Sequence, residues 1–162
     1  MPVLVGRFAR VLAVALAVLA GSAALAAEAL TPEKTLERYL TAIQDQDFDE
    51  AYDLVSKGMK TDRKTGAVKT REVWVKESQF IMQLSEAKIF DFKIFPGKVE
   101  GEVAQVPNIL SSQDKFLNQL GVEEYELYTL VREDGAWKVD QQEMVIDKAG
   151  LTRWFPKAEA KP

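Results

Sequence analysis

The dipeptide Asp134-Gly135 constrains this chain more than any other pair of residues. It separates two runs of alternating character, Glu123–Arg132 and Ala136–Ile146, and it suits the two-residue type I′ turn, which needs φ > 0 at both centre positions. The predicted hairpin pairs Glu133 with Ala136. Directly opposed residues share a face of a sheet, so Arg132 stands opposite Trp137, Leu130 opposite Val139 and Tyr128 opposite Gln141 on one side. The other side carries Val131/Lys138, Thr129/Asp140 and Leu127/Gln142. The first face is predicted to meet helices. It turns polar only in its outer half, from Tyr128/Gln141 to Glu126/Glu143, which leaves those two acids at the solvent edge.

Helix signals dominate the first half of the folded part. Thr31-Pro32-Glu33 combines a hydroxyl N-cap, a proline at the first helical position and an acid in the first turn. Leu36, Tyr39, Leu40 and Ile43 then repeat at helical spacing over 32–44. Asp47 caps a second helix over 48–57, with Glu50 completing a capping box and Gly58 as its stop. Thr70 caps a third over 71–85, in which Val73, Phe80, Ile81 and Leu84 share the predicted inward face, flanked by Trp74. Beyond Ser85 the period changes to alternation: Phe90, Phe92 and Ile94 point to the helices and Asp91 away, in a strand over 87–95. A second strand over 99–106 closes at Pro107, and two more cover 123–132 and 136–146. Residues 108–121 fit either an amphipathic helical turn or a flap carrying Phe116, Leu117 and Leu120. Leu151, Trp154 and Phe155 form a second unassigned apolar set, which either covers the sheet or serves as a docking element.

The N-terminus reads as an export signal. Arg7 and Arg10 precede an uncharged run from Val11 to Ala20, and Ala24-Leu25-Ala26 supplies small residues for cleavage between Ala26 and Ala27. An uncleaved anchor is the alternative. The expected layout is a signal peptide over 1–26, a short linker over 27–30, one domain over 31–155 and a disordered tail over 156–162, in a periplasmic or secreted product.

The sequence contains neither cysteine nor histidine. That removes disulfides, thiol and Ser-His-Asp nucleophiles, and zinc sites built on imidazole or thiolate. No metal and no cofactor are expected, and the chemistry left is that of carboxylates, lysines, tyrosines and hydroxyls. With Arg7 and Arg10 removed, the 19 cations left face 25 acids, a net charge of −6. A domain so acidic is a poor match for nucleic acid, whose affinity comes from cations. The charge is unevenly spread: seven cations lie between Lys57 and Lys76, and seven acids between Glu123 and Glu143.

The opening Thr31-Pro32-Glu33-Lys34-Thr35-Leu36-Glu37-Arg38-Tyr39-Leu40, the following Asp47-Phe48-Asp49-Glu50-Ala51-Tyr52 and the closing Leu130 to Val139 hairpin together resemble the nuclear transport factor 2-like (cystatin-like) superfamily. The resemblance covers roughly residues 31–146. It implies an α+β fold, N-terminal helices packed on a curved antiparallel sheet, with a cavity between helices and concave face. Its motifs are structural and specify no chemistry. The expected function is an exported, non-enzymatic binding or interaction domain for a small apolar ligand or an envelope protein. The lining candidates are Tyr39, Tyr52, Tyr128, Arg132 and Gln141. One alternative is an isomerase- or dehydratase-like enzyme using a carboxylate, Glu126 or Glu143, with tyrosine. Another is a self-assembling envelope module, a homodimer through Val131, Thr129, Leu127 and Tyr125 on the outer sheet face. No stable membrane insertion is expected after cleavage.

Overall fold

The computed structural model describes residues 29–156; the leader, its cleavage point and the last six residues lie outside the described residues. Helix α1 (Pro32–Gln44) is followed by α2 (Phe48–Leu54), a single turn α3 (Lys57–Lys60) and α4 (Arg71–Ser85). The strands β1 (Lys88–Ile94), β2 (Lys98–Glu100), β3 (Val103–Gln113), β4 (Glu123–Glu133) and β5 (Ala136–Met144) form one antiparallel sheet, and α5 (Lys148–Trp154) ends the fold. The sheet order is β1-β3-β4-β5, with β2 extending β1's edge against β3. Helices followed by an open antiparallel sheet make up the α+β architecture that the sequence resemblance implies. None of the described helices is long and apolar enough to cross a membrane.

The caps form as the sequence dictates. Thr31 accepts from the Lys34 amide at 3.2 Å, Asp47 from Glu50 at 3.0 Å and Thr70 from Val73 at 3.4 Å. The Glu50 carboxylate does not close a capping box; it is ion-paired with Arg38 across to α1 instead. The hairpin turn is also as expected, with φ of 50° at Asp134 and 79° at Gly135.

Four expectations are corrected by tertiary packing. The helix predicted over 48–57 breaks at Val55, which turns extended and bridges Val139 of β5, while the Ser56 amide donates to the Val139 carbonyl at 2.8 Å. Gly58 therefore does not stop that helix. It lies within α3, where a Cβ would meet Asp140 Oδ1 at 2.8 Å. The strand predicted to close at Pro107 is two strands, and β3 runs through the proline to Gln113. Pro107's carbonyl accepts from Phe95 across the break between β1 and β2, so its missing donor faces a gap in the ladder and costs nothing. Phe90 sits at a bulge between Ile89 and Asp91 and is 55% exposed rather than turned to the helices. Finally, α4 is rotated relative to its predicted stripe. Trp74, Val75 and Met82 face the core, while Val73, Phe80, Ile81 and Leu84 face solvent.

The main core lies between α1, α2 and one face of the sheet: Leu36, Leu40, Phe48, Ala51, Val55, Ala104, Val106, Leu130, Trp137 and Val139. A second, smaller core covers the other face. There α5 and the residue after it pack Trp154 and Phe155 on Leu127 and Val145, and Phe155 meets the rings of Phe95 and Tyr125 edge-on at 5.4 and 5.0 Å. The outer patch considered for self-assembly is thus occupied at Leu127 and Tyr125 by the chain's own C-terminal helix. Residues 114–122 are a hydrogen-bonded loop in which the Asp114 carboxylate accepts the amides of Phe116, Leu117 and Asn118.

Gly135→Val should destabilise by about 1–2 kcal/mol, the cost of a β-branched residue in the left-handed region. A Cβ there meets nothing within 4 Å, so the loss is backbone strain alone, and Gly135→Asn should recover most of it in urea denaturation. Phe155→Ala should cost about 3–4 kcal/mol in the same assay, as expected for a fully buried aromatic.

Candidate functional site

Two registers decide which side chains meet on the concave face. Along β3–β4, Asn108 is paired with Glu126, Val106 with Tyr128 and Ala104 with Leu130. Along β4–β5 the pairing is regular from Glu133/Ala136 to Leu130/Val139, then shifts by one, because Thr129 pairs with Gln141 and Asp140 is left over as a β-bulge. Beyond the bulge Tyr128 is opposite Gln142 and Glu126 opposite Met144. Gln141 is therefore on the outer face, and so is Glu143, opposite Leu127. Gln142 takes the inward place that an uninterrupted hairpin assigns to Gln141. The bulge is held from outside the sheet, where the Asp140 carboxylate accepts the hydroxyl of the fully buried Ser56 at 2.5 Å.

Glu126 has no solvent exposure, which corrects its expected position at the solvent edge. A carboxyl placed there demands partners. Asn108, equally buried, donates its side-chain amide to Glu126 Oε2 at 2.9 Å, and the Gln142 amide donates to Oε1. The Tyr128 hydroxyl also favours the ionised form. Burial outweighs these three hydrogen bonds, and the carboxyl is held above its ordinary range, with Glu124 adding a like charge. Burial likewise pushes Tyr39 up to about 12, with the Glu126 charge in support, and drives Tyr128 well above 10.0. The polar strip continues along the face, where Ser112 donates to Glu124 Oε2 at 3.1 Å. Among the described residues, one buried side-chain polar atom lacks a hydrogen-bond partner, and it belongs to this group: Asn108 Oδ1.

Of the five lining candidates, Tyr39 and Tyr128 are brought together beside Glu126. Tyr52 is elsewhere, with its hydroxyl on the Lys69 carbonyl at 3.1 Å, its ring edge-on to Trp74, and Lys60 and Arg71 lying against its faces at 4.1 and 4.7 Å. Arg132 is exposed at the apolar end of the sheet and lies over Trp137 at 5.3 Å. Asn108 and Gln142 are the members that sequence reasoning missed. Asn108 carries a usable signal, a side-chain amide inside a strand, but its meaning depends on knowing that β3 continues past Pro107. Among the described residues no group of three or more acids is arranged to hold a metal ion.

No protein-family model matches the sequence, and no curated protein matches it. Among solved structures the chain is similar to Bd1075 of Bdellovibrio bacteriovorus, at 10% identity and a TM-score of 0.47, covering 69% of this chain and 39% of that one. It is similar to a nuclear transport factor 2-like protein from Cytophaga hutchinsonii, at 16% identity and 0.48, over 70% of this chain and 93% of that one. A domain of unknown function with a cystatin-like fold from Nostoc punctiforme matches at 10% identity and 0.49, over 72% and 76%.

The buried carboxyl has a stability signature. Between the ordinary value of 4.5 and the raised value in the fold, native Glu126 keeps a proton that the unfolded chain has lost. Raising the pH through that window withdraws stability. The melting temperature of the wild type, measured relative to Glu126→Gln, should therefore fall as pH rises above 4.5 and level off once the native carboxyl is ionised. A difference that does not change with pH would remove Glu126 from any proton-linked role.

Proposed function

We propose that this chain is an exported, non-enzymatic binding domain whose small ligand lodges against the polar end of the concave face, at Asn108, Glu126, Tyr39 and Tyr128. The observation that carries this reading is the Asn108 carbonyl oxygen, a fully buried acceptor with no donor. An unmade hydrogen bond in such a place costs roughly 1–3 kcal/mol, and a ligand that supplies the donor recovers it. The fitting ligand is small, because α1 and α2 already cover the apolar rest of the face, and it presents an O–H or N–H group to Asn108. The carboxyl beside it disfavours anionic ligands. The basic and apolar leader supports the export part of the reading.

A thermal-shift screen of alcohols, amides, amines and neutral lipids is the test. Ligands with a donor group should raise the melting temperature of the wild type. The effect should vanish in Asn108→Leu, which removes the acceptor at similar volume, and persist in Gln141→Leu on the outer face. Stabilisation that survives Asn108→Leu would refute the assignment.

A second reading is favoured by one observation, the raised Glu126 carboxyl with tyrosine hydroxyls beside it, which is a proton-transfer arrangement. As an acid–base catalyst it would exchange a proton alpha to a carbonyl. Deuterium uptake from solvent into such a ligand, abolished in Glu126→Gln, would replace binding by catalysis as the function.

A further inference from the structure

Helix α4 and the loop after β3 both carry apolar side chains that the fold leaves uncovered. Phe80, Ile81 and Leu84 are 62, 63 and 49% exposed on α4, and Phe116, Leu117 and Leu120 are 58, 93 and 90% exposed on the loop. The two elements are joined where the Lys115 amide donates to the Ser85 carbonyl at 3.0 Å and the Lys115 ammonium pairs with Glu86 at 3.1 Å. The loop is a built structure. Asp114 gathers three amides, and the buried Asn118 donates to the carbonyls of Ser112 and Val122, so the two leucines are held outwards.

At about 200 Å² for Phe and somewhat less for Leu and Ile, the exposed parts of these six, summed over the two elements, come to roughly 700–800 Å². That exceeds the largest apolar patch of an ordinary monomer, about 300–600 Å². It is close to one partner's share of a standard protein–protein interface, about 800 Å². The charges around it balance in sign: Lys76 pairs with Glu72 at 2.7 Å, Lys69 with Glu77, and Lys115 with Glu86, while Lys88 and Asp114 at the same junction add one charge of each sign. The rim thus offers no surplus of either sign, on a chain of net charge −4. Two identical copies meet there without like-charge repulsion, whereas an anionic lipid surface finds no excess of cations to hold. On the outer sheet face Leu127 and Tyr125 are already covered by Trp154 and Phe155.

We infer that the α4 and 114–122 surface is a two-fold interface between copies of this chain, with Leu117 and Leu120 of each protomer set against the apolar face of α4 of the other. An isologous contact of this kind closes at two subunits.

Sedimentation velocity of the purified chain at tens of micromolar tests it. A species of twice the monomer mass is expected for the wild type. Leu117→Glu with Leu120→Glu should give monomers, as should Ile81→Arg alone on the other element. Both variants should keep the far-ultraviolet circular dichroism of the wild type and match its urea transition once the wild type is diluted to monomer, because the substituted side chains lie outside the core. A wild type that stays monomeric overturns the proposal, as does a dimer that survives both variants. Flotation of a monomeric wild type with phosphatidylglycerol vesicles, lost in the variants, would reassign the surface to lipid.

Discussion

A carboxyl group with no access to water, placed midway along a central strand, can be tolerated only if hydrogen-bond donors reach it from both neighbouring strands. Glu126 imposes that requirement, and much of the sheet's detail answers it. β3 must run past Pro107 so that Asn108 comes to lie beside it. β5 must carry one extra residue so that an amide, rather than an acid, faces it from the other side. The break between β1 and β2 is what lets a proline sit in β3 at all. The polar end of the concave face is therefore a product of register, while the apolar end is a product of composition: Leu130, Val139 and Ala104 would pack in many arrangements, but Asn108, Glu126 and Gln142 meet in only one.

The sheet is covered unequally by its helices. α1 and α2 bury the concave face with the main core, and α5 seals part of the other face through Trp154 and Phe155. α4 joins the main core through one side only, that of Trp74, Val75 and Met82. It touches α2 through the Trp74–Tyr52 contact and is tied at its C-terminal end to the 114–122 loop, but its apolar residues outnumber the positions that the core can accept. A helix apolar on more than one side is suited to more than one contact. The acceptor at Asn108 and the α4 surface are separate demands for a partner, one met by a donor atom and the other by area.

Local signals are legible in the sequence and long-range ones less so, because only the former are contacts between near neighbours in the chain. Thr31, Asp47 and Thr70 announce their helices because a cap is a contact between neighbours three residues apart. Asp134-Gly135 announces its turn because the backbone conformation itself selects those residues. The break at Val55 has no local signature; it results from pairing with Val139, more than eighty residues away. The inward face of α4 is not legible because Val73, Phe80, Ile81 and Leu84 form as good a stripe as Trp74, Val75 and Met82, and only packing chooses between them. For the site, Tyr39 and Tyr128 are legible as inward residues on regular elements. Asn108 is not, because the proline before it is a strand-ending signal. Gln142 is not, because alternation alone gives no sign of the bulge at Asp140.

That one residue has a consequence for comparing this chain with others. An extra residue in a strand inverts every face beyond it, and a bulge confines the inversion to a single position. In a flat ladder Glu143 would stand against Glu126, two acids in a space that holds one with difficulty. With Asp140 set aside against Ser56, odd length in β5 becomes harmless, and Gln142 and Met144 come inward. An alignment that runs through β5 without a gap at Asp140 will thus match Gln141 to the inward residue of a regular hairpin and place Gln142 on the wrong side. Lineages that keep the same concave chemistry would then seem to have lost it, and the place to put the gap is legible only from the buried hydroxyl that holds the bulge.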